Sequence, residues 1–325
     1  MDGHEIRHVA RLHTSKLQSM PETNFSRLRS LFSNVQVLNM ISPTLRALRV
    51  LSFCETKNQE SPNSLGKLKH LRYLDLSDTK IKALPESIGK LYNLQTLRLP
   101  YLKKCPKEIQ NLINLRHLYG GYSMEFEVGI LGLLTKLRTL PCFNVGKERG
   151  SAIEDLGGLM HLRGHLIICQ LEHVRDGEEA KNACLEEKSQ LSELTCIWTF
   201  YKPPNDNGTD VLDGLKPHLN LQSLNIVHFK GARLPSWITG LQNLKKIRLD
   251  GCNNCEGIPT LGQLPNLSCL DIEMNKLIRL GTEFYGTSAS AKSSLNGWKH
   301  RGYQLKEKLR YFLASMSCIS VTVLN

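Results

Sequence analysis

The chain has 325 residues, of which 41% are hydrophobic and 22% charged, with a formal net charge of +12. That composition is globular rather than disordered, and 55 leucines against only 6% aromatics point to many small leucine layers instead of one core of large rings. No uncharged apolar run approaches the roughly 18–20 residues that span a membrane, and the start MDGHEIRHVARLHTSK lacks the apolar stretch of a secretory signal.

Degenerate units open the chain, at Val9–Leu12 and Leu28–Leu31 within residues 1–44. From residue 45 a rhythm L-x-x-L-x-x-L-x-L sets in, as at Leu68, Leu71, Leu74 and Leu76. The strand centres fall at Leu51, Leu74, Leu97, Leu118, Leu140, Leu166, Ile197, Leu224, Ile247 and Leu270. Their steps are 23, 23, 21, 22, 26, 31, 27, 23 and 23 residues. Prolines keep the same beat: Pro62, Pro85, Pro106, Pro235 and Pro259 each follow a strand centre by about eleven residues. L-x-L alternation gives a short strand with one buried face, and the proline then sends the chain back as a helical or irregular turn. Each unit buries its leucines only against its neighbours. The expected fold is therefore an α/β solenoid, a leucine-rich-repeat horseshoe with a parallel sheet on the concave face and an irregular convex side.

Five residues after each centre a small polar or sulfur side chain is expected to satisfy backbone groups: Thr56, Thr79, Cys252 and Asn275 fit, whereas Leu102, Val145 and Phe229 do not. Between about 140 and 224 the units lengthen, and Asp176–Leu191 reads as an amphipathic helix, followed by a polar loop at Tyr201–Asp210. The solenoid is expected over 45–286. Residues 287–325 read as a non-repeat, poorly ordered tail, in which 299–316 has the look of a basic amphipathic helix.

LRYLDLSDTKIKALPESIGKLYNLQTL, LINLRHLYGG, the long block from Leu133 to Trp198, GARLPSWITGLQNLKKIRLDGC and LGQLPNLSCLDIEMNKLIRLGTEFYG together resemble the leucine-rich-repeat region of plant coiled-coil-type nucleotide-binding disease resistance proteins. The match covers residues 4 to 286, and the lengthened middle units are its specific part. The resemblance implies a cytoplasmic role in plant defence. It implies recognition of a pathogen effector or a guarded host protein, and contact with a receptor's nucleotide-binding domain. That domain's G-x-x-x-x-G-K-[S/T] loop is absent from this sequence, so no cofactor is carried over. A regulatory scaffold of the small-GTPase-binding type shares the regular 23-residue rhythm but not the middle block.

No catalytic constellation is present, and no metal site is expected. Cys252-x-x-Cys255 lacks a second ligand pair, and His161 and His165 lack an intervening glutamate. Ten cysteines without a secretion signal read as reduced thiols, and the sequons at Asn24, Asn207 and Asn266 as chance occurrences. Glu178, Glu179, Glu186 and Glu187 read as a solvated helix face, and Trp237 as packing on the convex side. The candidate protein-binding residues flank the buried strand leucines on the concave face: Tyr73, Asp75, Arg98, His117, Tyr119, Trp198, Phe200, Arg248 and Asp250. Trp198, Phe200 and Tyr201 form their densest group. Lysines and arginines interleave with the leucine period, so nucleic acid is not the expected partner. The charge is uneven: residues 1–110 carry 18 basic and 9 acidic side chains, 111–286 carry 18 and 20, and 287–325 carry 6 and 1.

Overall fold

The computed structural model describes residues 7–12, 25–33, 44–53, 63–121, 124–126, 129–146, 152–200, 207–256, 258–274 and 318–323. It divides into two compact units, Met1–Leu162 and Arg163–Asn325.

In the first unit six parallel strands follow one another in chain order: β1 (His8–Leu12), β2 (Ser30–Ser33), β3 (Val50–Phe53), β4 (Tyr73–Asp75), β5 (Thr96–Arg98) and β6 (His117–Tyr119). Their register sets Val9 beside Leu31, then Leu51, Leu74, Leu97 and Leu118. The strands are only three to five residues long. Pro85 and Pro106 stand in extended conformation just before the 3₁₀ turns Glu86–Lys90 and Lys107–Asn111. A helix start leaves its first N–H groups without a partner, so proline's missing donor costs nothing there. Each turn buries an isoleucine, Ile88 or Ile109, under the strand leucines, all of which are fully removed from water.

A two-residue strand, β7 (Phe143–Asn144), follows β6 in the chain but is not part of the β1–β6 sheet. The second unit runs through β8 (Gly164–Cys169), β9 (Leu191–Ile197), β10 (Ser223–Val227), β11 (Lys246–Asp250), β12 (Cys269–Met274) and β13 (Cys318–Val323), again parallel and in chain order. Here the register aligns Leu166, Leu194, Leu224, Ile247 and Leu270. The strand centre expected at Ile197 is thus Leu194. In LTCIW both alternation phases contain apolar residues, and burial selects Leu194, Cys196 and Trp198 while Ile197 stays partly exposed.

The helix expected over Asp176–Leu191 is shorter. α1 (Gly177–Lys181) is capped by Asp176, whose carboxylate accepts from the Glu179 N–H at 2.8 Å. The chain turns at Cys184 with φ of 47°, makes a 3₁₀ turn at Leu185–Glu187, and enters β9 at Leu191. Much of the expected polar loop lies outside the described residues, but its end forms α2 (Gly208–Gly214). The two helices meet closely: the Gly177 N–H donates to Asp210 at 2.7 Å, and a Cβ on Gly214 would collide with the Gly177 carbonyl. The tail residues 287–317, including the stretch read as a basic helix, lie outside the described residues. Beyond them β13 pairs in register with β12, Cys318 beside Cys269 and Val321 beside Ile272.

A row of asparagines ties repeat to repeat in both units. Asn93 donates to the Lys69 carbonyl at 2.9 Å, and Asn114 to Tyr92 at 2.9 Å. In the second unit Asn220, Asn243 and Asn266 donate to Ser189, Leu219 and Gln242 at 3.1, 3.1 and 2.8 Å. At the position five after the centre, Thr79 donates to the Leu76 carbonyl at 2.7 Å and Cys252 lies 3.6 Å from that of Ile226. Leu102, Val145 and Phe229 occupy the same position as buried apolar residues. Thr56 and Asn275 lie outside the described residues.

Removing a stacked leucine should therefore be far more damaging than removing a surface one. Leu97→Ala is expected to cost about 3 kcal/mol of stability and the exposed Leu133→Ala below about 0.5 kcal/mol, read from urea unfolding midpoints.

Candidate functional site

Residues on either side of each buried strand leucine point away from the core, and adjacent strands bring them into contact. In the first unit Tyr73, Asp75, Arg98, His117 and Tyr119 form one network across β4, β5 and β6. Asp75 is its centre. It accepts from the Tyr73 hydroxyl at 3.2 Å and from the backbone and side chain of Ser77 at 3.0 and 2.7 Å, and Arg98 Nε lies 3.3 Å away. The Arg98 guanidinium sits 5.2 Å from the centre of the Tyr119 ring, a cation–π contact. His117 stacks beside Tyr119, with centroids 6.4 Å apart, and its Nδ1 pairs with Thr139 Oγ1 at 2.9 Å. Burial raises the pKa of the Tyr73 phenol, and the neighbouring Asp75 charge raises it further. Arg98 is held from two sides, by a carboxylate and a ring, yet its side chain is 42% exposed. A fixed cation beside an open tyrosine face is suited to grip an acidic or aromatic group of a partner.

In the second unit Arg248 is the centre. It reaches Asp250 at 3.1 Å, Asp271 at 3.6 Å and Glu273 at 3.9 Å. Phe200, half exposed, stands edge-on to His228 at 5.0 Å, and Lys230 lies 6.0 Å over its ring. His228 has φ of 55°, and it presses on Gly251 (φ 63°), where a Cβ would strike the imidazole.

Trp198 does not belong to this surface. It is 2% exposed and packs edge-on against Phe229 at 5.2 Å, so it is a core residue. The three-residue displacement of the β9 centre, an odd number that swaps the two faces, accounts for the difference, because the residue expected beside the buried position is itself in it. Tyr201 lies outside the described residues. Trp237 packs between turns, its indole N–H donating to the Leu212 carbonyl at 3.3 Å. His165 pairs with Thr195 at 2.9 Å while His161 is exposed, and no group of three or more metal-ligating side chains occurs among the described residues. Cys252 and Cys255 are both buried. Glu178 and Glu186 are exposed and pair with Lys181 and Lys216.

A family model described as a leucine-rich repeat region matches residues 27–299. The chain belongs to that family. Among its relatives, the disease resistance protein RGA2 of Solanum bulbocastanum is 35% identical over 275 residues, covering 81% of this chain and 28% of the relative. An RPP13-like disease resistance protein of Arabidopsis thaliana is 37% identical over 155 residues, covering 44% of this chain and 15% of the relative. The chain thus spans little more than a quarter of the longer match. The repeat region of plant nucleotide-binding disease resistance proteins is the group it resembles. Solved leucine-rich-repeat structures share the fold alone. An internalin (inlF) of Listeria monocytogenes aligns with a TM-score of 0.55 at 13% identity, covering 94% of this chain and 90% of that one. The functional domain of InlJ from the same organism gives 0.53 at 15%, covering 79% and 57%.

Two features of this repeat protein escape a reading centred on leucines. The asparagine row is visible only as a recurring N-L four residues before the strand centre, at Asn93, Asn114, Asn220, Asn243 and Asn266. The His228–Phe200–Lys230 contact has no sequence signal, because it depends on a left-handed turn after β10.

Burial pushes the thiols of Cys105, Cys196 and Cys252 up to about 12 from an ordinary value near 9. A raised pKa in the folded state means the stabilisation is complete below pH 9 and is lost as pH climbs toward 12. Each thiol is expected to cost on the order of 1–2 kcal/mol by pH ~10.5. Unfolding midpoints followed from pH 8 to 11 should fall, and less steeply in Cys252→Ala.

Proposed function

We propose that the chain is a non-enzymatic recognition module of plant defence. Its outward strand residues bind a protein: a pathogen effector, a guarded host protein or a receptor's nucleotide-binding domain. The observation that carries this reading is the Tyr73–Asp75–Arg98–Tyr119–His117 network. Three successive strands, each too short to bury its outward side chains, present an arginine braced by a carboxylate and a tyrosine ring. Such a pre-ordered aromatic–arginine cluster loses little conformational entropy on binding. In the second unit Phe200, Arg248 and Asp250 extend the set of candidate contacts, with Arg248 held by three carboxylates. The relatives' printed role in disease resistance supports the biological setting, and a cytoplasmic location follows from the same resemblance.

The test uses the full chain and the coiled-coil and nucleotide-binding segment of a plant disease resistance protein of the type this chain resembles, mixed as purified proteins. Wild type is expected to bind, and Arg98→Ala combined with Tyr119→Ala to bind at least about tenfold more weakly, with its melting temperature within ~3 °C of wild type. Equal binding by the double variant would remove the first unit's strand face from the interface. A Trp198→Ala variant should instead lower stability by about 3 kcal/mol, seen as a lower unfolding midpoint.

A further inference from the structure

The basic residues of the first repeats look scattered in sequence, but the stacking collects them. Two residues before each strand centre stand Arg7, Arg29, Arg49, Arg72, Gln95, Arg116 and Arg138. Parallel register turns steps of some twenty residues into neighbours about 4.8 Å apart. The backbone shows this alignment: the N–H of Arg49 donates to the Arg29 carbonyl at 2.8 Å, that of Arg72 to Arg49 at 2.8 Å, and that of Arg138 to Arg116 at 2.7 Å.

At the head of this column the asparagine row is missing. The positions that hold Asn93 and Asn114 in later repeats are Ala47 and His70 in the units of β3 and β4. A cleft of about 400 Å³ occupies the space, lined by Arg29, Arg46, Arg49, Arg72 and His70, with Asn93, the first asparagine of the row, also in its wall. Arg29, Arg46, Arg49 and Arg72 are all exposed, and none forms an ion pair with a carboxylate among the described residues. Every charged residue described before Asp75 is an arginine or lysine. Four guanidinium groups converging on one cleft repel one another, and the field they sum to concentrates anions.

We propose that this cleft binds a compact polyanion, a small molecule bearing several phosphate groups. The size favours a compact ligand over a polymer: the cleft is lined from the repeats of four neighbouring strands, about 14 Å, and Gln95 interrupts the arginine column at its end. The chemistry favours phosphate. A planar guanidinium offers paired donors that match phosphate oxygens, and here arginine, not lysine, fills the wall. The ligand cancels the mutual repulsion of the arginines, so it binds the folded chain and stabilises it.

The probe is inorganic tripolyphosphate, titrated into the full chain at low salt by calorimetry, with a glutamate hexapeptide and a single-stranded oligonucleotide as competitors. Saturable one-to-one binding is expected, with affinity falling at least about tenfold in Arg49→Gln and in Arg72→Gln, while Arg116→Gln and Arg138→Gln bind as wild type. Circular dichroism of the variants is expected to match wild type. A rise in melting temperature with tripolyphosphate, abolished in Arg49→Gln, gives the same answer independently of calorimetry. Equal losses in all four variants would mean a diffuse basic field and overturn the cleft. Tighter binding of either competitor would also overturn the proposal, assigning the site to an acidic protein segment or to nucleic acid.

Discussion

No repeat of this chain can remove its own leucines from water. A strand of three residues with a 3₁₀ turn behind it has two open sides, and only the next repeat closes one of them. Everything else in the structure follows from that dependence. It demands parallel strands, because each repeat must present the same face at the same height. It demands a constant register, not a constant length: the longer steps from Leu166 to Leu194 and from Leu194 to Leu224 are taken up outside the strands. It also leaves the outward strand side chains largely free of packing duty, since the core is filled by the inward strand residues and the apolar residues of the turns behind them.

How far the sequence revealed this depends on which residues carried the signal. Where one alternation phase is apolar and the other polar, as in Tyr73-Leu74-Asp75, the buried position is unambiguous and the register follows. Where both phases are apolar, as in Leu194-Thr195-Cys196-Ile197-Trp198, periodicity cannot choose, and Trp198 is found in the core rather than on the surface. Residues 176–191 show a second limit. Their helical pattern is real, but Cys184 turns left-handed and the next strand must begin at Leu191, so tertiary stacking cuts the helix after a turn and a half. The pairing partners of the outward residues were legible as soon as the register was, since Asp75 lies beside Arg98 and Arg98 beside Tyr119.

The two charged centres differ in kind. Asp75 in the first unit is surrounded by donors, from Tyr73, Ser77 and Arg98, and leaves a cation and two rings facing outward. Arg248 in the second unit is surrounded by acceptors and leaves carboxylates facing outward. One repeated backbone thus displays surfaces of opposite character without any change in its core. The sequence leans the same way along the repeats, with 18 basic and 9 acidic side chains in residues 1–110 and a near balance of 18 and 20 in 111–286.

The asparagine row overlaps a modification motif at one position. Asn266 is followed by Leu267 and Ser268, which makes it an acceptor for N-linked sugar. Its side-chain nitrogen is the atom that holds the Gln242 carbonyl. A glycan on that nitrogen would replace one of its two hydrogens and set a bulky branched sugar beside the contact between two repeats. Modification there would therefore bear directly on how two neighbouring repeats are tied together, through a single side-chain nitrogen.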